Sequence, residues 1–495
     1  MAFQVPSLNI LLIAPVVIVA GWGMLLMLIE MFISDEQQKQ WLDWAPWLTL
    51  VGLAVALVQT LGMWDLNGGT FMPVGGEPMI VVDNFATFLN VIFILTGMMT
   101  VLVSVNYMRR TGLERAEFYM LVLFSTSGMM LMGMANDLIL VFLALELLSI
   151  PLYIMSGLAW PRTDSEESAM KYFLLGAFSS GFLVFGIALT YGATGSTQLP
   201  VVLAGIASGG SLALAGAAFL LVGFAFKVAA VPFHMWTPDV YQGAPTSVTA
   251  FMSVGAKVGG FAAMLRVFVT ALPQIGDTWV TAVAALSALT LIVGNFVALA
   301  QPNIKRMLAY SSIAHAGYIM IAVASSTATP DGVSSALFYM FAYLFTTMGA
   351  FAVVIAVERK TNEGVTLDDY KGLAKRSPLL ALAMAYFMLS LTGVPPTGGF
   401  SGKFFVFRAA IEANLVWLAI IGVITSVVSG YYYLRVVYMM YMMDGEGEVQ
   451  DGWGLNGTAV AIAVLATLIL GFLPGTWFDI VRQAALHGVQ VLAGG

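Results

Sequence analysis

The chain has 495 residues, of which 60% are hydrophobic and only 9% are charged, and its mean hydropathy is +0.90. A soluble domain carries about a quarter charged residues, so this composition excludes a soluble globular fold and predicts a protein whose main solvent is lipid. The net charge is −7, from 20 Lys+Arg against 27 Asp+Glu, and no basic cluster is present, which excludes nucleic-acid binding. With no cysteine and three histidines, we expect no disulfide framework, iron–sulfur cluster or Cys/His zinc site, and no cofactor on this chain.

Apolar stretches of about 20 residues, long enough to cross a membrane as helices, recur between short polar or Gly/Pro segments. Each stretch is continuous rather than alternating, which favours helices over the strands of a membrane barrel. We therefore predict an all-α polytopic membrane protein with about fourteen transmembrane helices, at residues 8–33, 47–64, 84–107, 117–135, 138–159, 168–192, 211–241, 246–270, 278–299, 304–325, 333–358, 379–410, 414–441 and 457–480.

Basic residues in short loops predict the orientation, because Lys and Arg stay on the cytoplasmic side. If the chain starts outside, the loops after odd-numbered helices face the cytoplasm, and the opposite loops hold no basic residue. We expect both termini on the periplasmic side of a bacterial inner membrane. The basic residues of the cytoplasmic loops are Lys39, Arg109, Arg110, Arg115, Arg162, Lys305, Arg306, Arg359, Lys360, Lys371, Lys375 and Arg376.

Prolines interrupt the seventh and the twelfth predicted helix. Pro232 lies inside the seventh, and Pro395 and Pro396 lie in the Thr392–Gly399 segment of the twelfth. A proline inside a helix removes a backbone donor and clashes with the preceding turn, so we expect both helices to be broken. Backbone groups freed at membrane depth must face protein or a watery cavity.

Similar motifs recur at a spacing that predicts an internal repeat. The two Val-Pro pairs lie 163 residues apart, and the Tyr-Ile-Met motif at 153–155 recurs at 318–320. A repeat of five helices fits this spacing, and because five is odd the second copy must be inverted. We predict one membrane domain, 1–495, made of helices 1–3 (1–110), the first repeat of helices 4–8 (111–272), the inverted repeat of helices 9–13 (273–443) and helix 14 (444–495).

Three lysines remain inside the predicted helices once the other basic residues are assigned. Five further basic residues lie near helix ends, where the side chain can reach the membrane surface: Lys171, Arg266, Arg408, Arg435 and Arg482. Lys227 and Lys257 lie in mid-helix, and Lys403 follows the break in helix 12, nearer its outer end. A lysine at the bilayer centre costs roughly 3 kcal/mol, so each is a candidate functional group.

One acidic residue matches these lysines in depth. Glu146 lies nine residues into the fifth helix, and we expect it to pair with Lys227. His315 in the tenth helix and His234, two residues after Pro232, share this depth. A buried ion pair that only packs, or a core histidine with its hydrogen bonds satisfied, is the structural alternative. Together the residues predict a path of protonatable groups across the membrane midplane, with no pocket for an organic substrate.

The sequence also resembles a known family over nearly its whole length. The stretches LELLSIPLYIMSG (145–157), KYFLLGAFSSGFLVFG (171–186), FKVAAVPFHMWTPDVYQGAPTSVTAFMSVGAKVGG (226–260), PNIKRMLAYSSIAHAGY (302–318) and GVPPTGGFSGKF (393–404) resemble the antiporter-like membrane subunits of respiratory complex I, the NADH-quinone oxidoreductase. The resemblance implies fourteen helices, inverted five-helix repeats and broken helices 7 and 12.

The resemblance also implies a function and its residues. By motif, the helix-5 glutamate of the family falls on Glu146, the helix-7 lysine on Lys227, the helix-8 lysine on Lys257 and the charged residue of helix 12 on Lys403. Lys257 is then expected to relay protons together with His315, coupled to quinone reduction elsewhere in the complex. The chain itself is expected to bind no NADH, flavin or iron–sulfur cluster and to contact lipid and the other membrane-arm subunits.

A lysine rather than a glutamate at 403, and no further helix after residue 482, favour one subunit type within the family. The alternative function is a subunit of a multi-subunit cation/proton antiporter, which is similar in fold but needs a sodium site of oxygen ligands. A passive membrane anchor for redox partners would not explain three costly lysines.

Overall fold

A computed structural model describes residues 8–34, 36–73, 76–359, 363–446, 449 and 454–486. Within these residues, thirteen helices are long and apolar enough to cross a membrane, and Pro378–Thr392 is a shorter apolar helix. The described residues also form a small antiparallel hairpin, β1 (Gly68–Thr70) with β2 (Ile80–Val82). The predicted helical membrane class is confirmed, whereas the hairpin was not foreseen. Lys360 lies outside the described residues.

The helices follow one another along the chain with short connections. In the part of the chain that the structure describes, four 3₁₀ turns accompany them, at Ile10–Ile13, Ile206–Gly209, Pro273–Ile275 and Leu367–Tyr370. The α-helices are α1 (Ala14–Glu30), α2 (Gln38–Leu61), α3 (Asn84–Thr111), α4 (Ala116–Met134), α5 (Leu138–Ser156), α6 (Thr163–Thr194), α7 (Leu199–Gly205), α8 (Gly210–Lys227), α9 (Trp236–Gly243), α10 (Thr246–Thr270), α11 (Gly276–Ala298), α12 (Ile304–Ser325), α13 (Asp331–Val357), α14 (Leu373–Arg376), α15 (Pro378–Thr392), α16 (Gly398–Glu412), α17 (Val416–Met442), α18 (Leu455–Phe472) and α19 (Pro474–Gln483).

Helices α10 and α13 form the centre of the bundle. The most apolar stretch of each is entirely buried, whereas only a third of the corresponding stretch of α1 and α6 is buried. Helix α12 is also almost entirely enclosed. A charged side chain on one of these inner helices therefore cannot reach lipid headgroups and needs partners from the protein itself.

Both predicted helix breaks are present. The seventh transmembrane segment is interrupted between the end of α8 at Lys227 and the start of α9 at Trp236, and the twelfth between Thr392 of α15 and Gly398 of α16. At the first break, the backbone N–H of Val231 donates to the Thr290 hydroxyl on α11 over 2.9 Å. The freed backbone is thus satisfied by a neighbouring helix, as membrane depth requires.

The last predicted helix is divided where the prediction had one continuous segment. The 457–480 segment ends as α18 at Phe472, and α19 starts at Pro474. Proline has no backbone N–H to continue a helix but is well suited to the first helical position, where that donor is not needed.

Two basic residues expected at a helix end or in a loop are buried. Arg266 is 4% exposed, contacts Asp83 at 2.5 and 2.9 Å and donates to the Gly133 carbonyl. Lys305 is fully buried and donates to the Ala244 carbonyl over 2.6 Å. The prediction that Arg266 reaches the membrane surface was wrong, because a carboxylate inside the bundle binds its guanidinium in a bidentate fashion.

Candidate functional site

Lys227 is the last residue of α8 and is 4% exposed. Its ammonium donates to the Ser149 hydroxyl on α5 over 2.7 Å and to the Tyr172 hydroxyl on α6 over 3.4 Å. The Tyr172 ring stacks on Trp236, the first residue of α9, at 4.5 Å. The break in the seventh segment therefore places Lys227 at the carbonyl end of a half-helix, where the helix dipole favours a cation.

Glu146 lies beside Lys227 without touching it. Its carboxylate accepts a hydrogen bond from Ser180 on α6 over 2.5 Å, and no ion pair joins it to Lys227 among the described residues. Ser149, the acceptor for Lys227, lies three residues after Glu146 and thus on the same face of α5. The expected direct pair is replaced by two serine hydroxyls, and the two charges interact through space.

Lys257 lies in mid-helix on α10 and is 2% exposed. Its ammonium donates to both the hydroxyl and the backbone carbonyl of Ser312 on α12. The Ser312 hydroxyl also accepts from Tyr343 on α13 over 2.9 Å and lies 3.4 Å from the Tyr241 hydroxyl on α9. Four helices thus meet at one serine, with Lys257 as the charged group.

His315 lies one turn further along α12 and is 4% exposed. Its Nδ1 is 2.6 Å from the Tyr339 hydroxyl on α13, and its Nε2 is 3.2 Å from the Tyr433 hydroxyl on α17. Tyr433 also bonds to Ser311, the neighbour of Ser312. Both ring nitrogens therefore have hydroxyl partners, each of which can donate or accept a proton.

Lys403 lies in the second turn of α16 and is 4% exposed. Its ammonium donates to the Leu391 and Thr392 carbonyls, over 3.0 and 2.9 Å, and to the Ser426 hydroxyl on α17 over 2.8 Å. These three acceptors match the three ammonium donors. The two carbonyls lack a partner within the helix because α15 ends at Thr392, so the second break, like the first, holds a lysine at the carbonyl end of a half-helix.

The groups follow one another along α12. Ser312 binds Lys257, and the ring of Tyr318, six residues on, lies 4.6 Å from the Lys403 ammonium. His315 lies between these two residues of α12. At 1.5 Å per residue, Lys403 is displaced by about 9 Å from Lys257 toward the end of α12 at Ser325, which the loop charges predict to be the outer end.

Small cavities adjoin the two broken segments. One is lined by Ser149, Ser180 and Lys227, and the other by His315 and Gly399 among others. In each cavity, the volume that the centre of a water molecule can occupy is about 10 Å³, which is close to the minimum needed to hold one water. One water in the first cavity would connect Lys227 to Ser180, the partner of Glu146.

His234, the remaining sequence candidate, lies in the first break between α8 and α9. The side chain is partly buried, and its Nδ1 has no hydrogen-bond partner among the described residues. The structure does not bring it into contact with Lys227, Lys257 or Lys403. His234 is thus separate from the three lysine sites.

Sequence reasoning did not identify the hydroxyl residues of the site. Ser149 and Ser312 each lie three residues from a candidate, Glu146 and His315 respectively, but serine is common in membrane helices and this spacing alone carries little information. The tyrosines come from three different helices, and only the fold reveals which residue of the site each of them contacts. They are Tyr172, Tyr339, Tyr343 and Tyr433.

Residues 135–429 match the family model described as NADH:quinone oxidoreductase/Mrp antiporter, TM. A curated relative in Chloroflexus aggregans, NADH-quinone oxidoreductase subunit N, is 45% identical over 490 residues, covering 98% of each chain. A chain of respiratory complex I from Thermus thermophilus is 37% identical with a TM-score of 0.80, covering 95% of this chain and 99% of its own. A chain of the Mrp complex from Dietzia has a TM-score of 0.83 over 97% of this chain and 98% of its own, but at 20% identity it shares the fold alone.

The fold and these matches define a class of multi-pass, antiporter-like membrane subunits. The chain belongs to this family of NADH:quinone oxidoreductase and Mrp antiporter subunits. Within it, the chain is similar to subunit N of the oxidoreductase. The resemblance stated from the sequence is confirmed.

Proposed function

We propose that this chain is the subunit of a bacterial NADH:quinone oxidoreductase that carries protons through the membrane, without a redox centre of its own. The observation that carries the proposal is the series of three buried ammonium groups, Lys227, Lys257 and Lys403, each bound to hydroxyl or carbonyl oxygens in the middle of the bundle. The relatives named subunit N support the assignment to this complex. Other membrane-arm subunits and lipid are its proposed partners.

The chemistry requires groups that exchange a proton without covalent change. A lysine ammonium held by hydroxyls can give its proton to a neighbouring oxygen or water and take another, whereas an arginine stays charged. Glu146 stabilises the charged form of Lys227 through space. If its carboxylate is neutralised or displaced, that stabilisation is lost and Lys227 releases its proton more readily.

The proposed route runs from Lys227 to Lys257 and then along α12 past His315 to Lys403. Hydroxyl groups lie between successive members of this route, and each of the two small cavities can hold a single water as a further link. Release from Lys403 toward the periplasm fits its displacement along α12. In this orientation both chain termini lie on the periplasmic side, as the loop charges predict.

The proposal is tested in inside-out vesicles that hold the assembled complex, by measuring NADH-driven acidification alongside the rate of quinone reduction. Lys257→Ala should lower acidification, while the amount of assembled complex stays at wild-type level. The alternative, a cation/proton antiporter subunit, predicts instead that a sodium gradient drives proton movement through the same lysines. Sodium-driven proton counterflow that Lys257→Ala abolishes would favour the alternative.

A further inference from the structure

A second set of buried charged groups lies where α12 begins and α13 ends. Lys305 and Glu358 are each 0% exposed. Tyr107 on α3 donates to the Glu358 carboxylate over 3.3 Å, and its oxygen accepts from the backbone N–H of Thr246, the first residue of α10. We call Lys305, Glu358 and Tyr107 the Lys305 cluster. Burying charged groups costs free energy that their partners offset only in part, so the cluster invites a functional explanation.

One side of the cluster adjoins the surface. A polar cavity with about 130 Å³ of room for water centres is lined by Asp164, Gln242, Gly243 and Arg306, among others. Gly243 directly precedes Ala244, whose carbonyl holds Lys305, and Arg306 directly follows Lys305. The loop charges predict that this end of the molecule faces the cytoplasm. Water in this cavity therefore contacts the sequence neighbours of Lys305 and of its partner Ala244.

The other side of the cluster faces Lys257 along two helices. On α10, Thr246, Ser253 and Lys257 follow at intervals of seven and four residues, which places them on one face. On α12, Lys305 and Ser312, the partner of Lys257, are seven residues apart and share a face as well. The distance along α10 from Thr246 to Lys257 is about 16 Å.

The third helix, α13, connects the same two places. Tyr343, which binds Ser312, and Thr347 are four residues apart on one face of α13, and Glu358 directly follows the end of this helix at Val357, about 16 Å along its axis from Thr347. Helices α10, α12 and α13 therefore each begin or end at the Lys305 cluster and each carry a residue of the Lys257 site.

Three hydroxyls in this region are buried and have no hydrogen-bond partner among the described residues. They belong to Thr246, Ser247 and Thr347, which are 0%, 0% and 5% exposed. A buried hydroxyl without a partner costs about 1–3 kcal/mol, and in a polar region an ordered water normally satisfies it. Thr246 and Ser247 are at the cluster end of α10, and Thr347 is one turn from Tyr343. Water bound at these hydroxyls would occupy both ends of the gap.

We propose that the Lys305 cluster is a proton entry site, from which waters at Thr246, Ser247 and Thr347 lead to Lys257. The step is a proton transfer alone: the Glu358 carboxylate gains a proton from the polar cavity and passes it through water to the neutral amine of Lys257. No electron moves and no heavy-atom bond changes. The inference rests on the proposed function and adds the residues that supply its central lysine.

The test compares variants of the assembled complex in proteoliposomes, by counting protons translocated per quinone reduced. The loss measured for Lys257→Ala gives the share of proton translocation that depends on this path. Glu358→Gln should remove the part of this share that Lys227 does not supply, and Thr347→Val, which keeps the shape but removes the hydroxyl, should remove at least half as much as Glu358→Gln. Thr249→Val is the matched control, because the Thr249 hydroxyl is already bonded to the Tyr241 carbonyl over 3.0 Å.

A second variant distinguishes a purely structural role of the cluster from a role in proton entry. Glu358→Gln combined with Lys305→Gln removes both charges, so the buried positive charge no longer remains without the negative one. If the double variant assembles and translocates protons normally, the cluster only packs and the inference is overturned; continued loss of translocation supports entry through Glu358. If Lys257→Ala itself loses nothing, the proposed function fails first, whereas loss in Lys257→Ala with normal Glu358→Gln overturns the entry site alone.

Discussion

Lys257 on α10 donates hydrogen bonds to both the hydroxyl and the backbone carbonyl of Ser312 on α12. Ser312 is three residues before His315, so one short segment of α12 binds the central lysine and carries the next protonatable group. Helix α12 is almost fully enclosed, so Ser312 and His315 contact other parts of the protein rather than lipid or bulk water. The contact makes Ser312 the structural centre of the proposed path.

Ser312→Ala should impair proton translocation while the complex still assembles. The change leaves Lys257 with only the carbonyl and removes the partner of Tyr343, at a cost of about 1–3 kcal/mol in stability. Acidification in inside-out vesicles, scaled to the assembled amount, measures the effect. Ser325→Ala is the control, because that hydroxyl bonds only to Ile321 of its own helix. Equal acidification by both variants would remove Ser312 from the path.

Glu146→Gln should slow translocation, and Glu146→Asp should slow it less. Both variants can still accept from Ser180, but only aspartate keeps the negative charge that acts on Lys227 through space. The measurement is the initial rate of acidification, with Glu117→Gln on the exposed side of α4 as a control for loss of an acid. Gln and Asp variants of equal activity would contradict an electrostatic role of Glu146.

Gly393→Ala should displace Lys403. Gly393 has a φ of +92°, and a Cβ there would lie 2.9 Å from the Cδ of Lys403. The left-handed backbone alone costs a non-glycine residue roughly 1–2 kcal/mol. We expect less assembled complex and, in what assembles, lower proton translocation. Gly181→Ala, where an added Cβ meets nothing within 4 Å, should leave both unchanged; a Gly393→Ala variant indistinguishable from it would contradict the tight fit around Lys403.

Lys403→Cys should react with a membrane-impermeant thiol reagent added from the periplasmic side, and Lys227→Cys should not. The reason is the displacement of Lys403 by about 9 Å along α12 toward the predicted outer end. The chain has no native cysteine, so labelling of this subunit is specific. Faster labelling of Lys403→Cys from the cytoplasmic side would reverse the assigned direction of release.

Composition and proline positions predicted the helical class and both broken segments, because lipid demands long apolar runs and proline interrupts them locally. The three lysines and Glu146 were also identifiable, since a charge inside an apolar run is costly wherever it packs. Their partners were not. Whether Lys227 binds Glu146 or Ser149 depends on where α5 and α8 cross, and sequence does not specify that crossing.

The burial of Arg266 and Lys305 was missed for a related reason. Position along a helix predicts depth in the membrane but not distance from the bundle axis. Arg266 is near the end of α10, yet α10 is central, so Asp83 rather than the membrane surface receives its guanidinium. The inverted repeat and the domain limits drawn from the 163-residue spacing stay predictions.

The most direct test of the central claim, that lysines of this chain carry the protons, is NADH-driven acidification by Lys227→Ala and Lys227→Arg in inside-out vesicles with matched amounts of assembled complex. Alanine removes the protonatable group, and arginine keeps the charge but cannot release the proton. Both variants should lose the translocation that passes through Lys227. Acidification at the wild-type rate in Lys227→Arg would contradict the claim, because a fixed positive charge would then be sufficient.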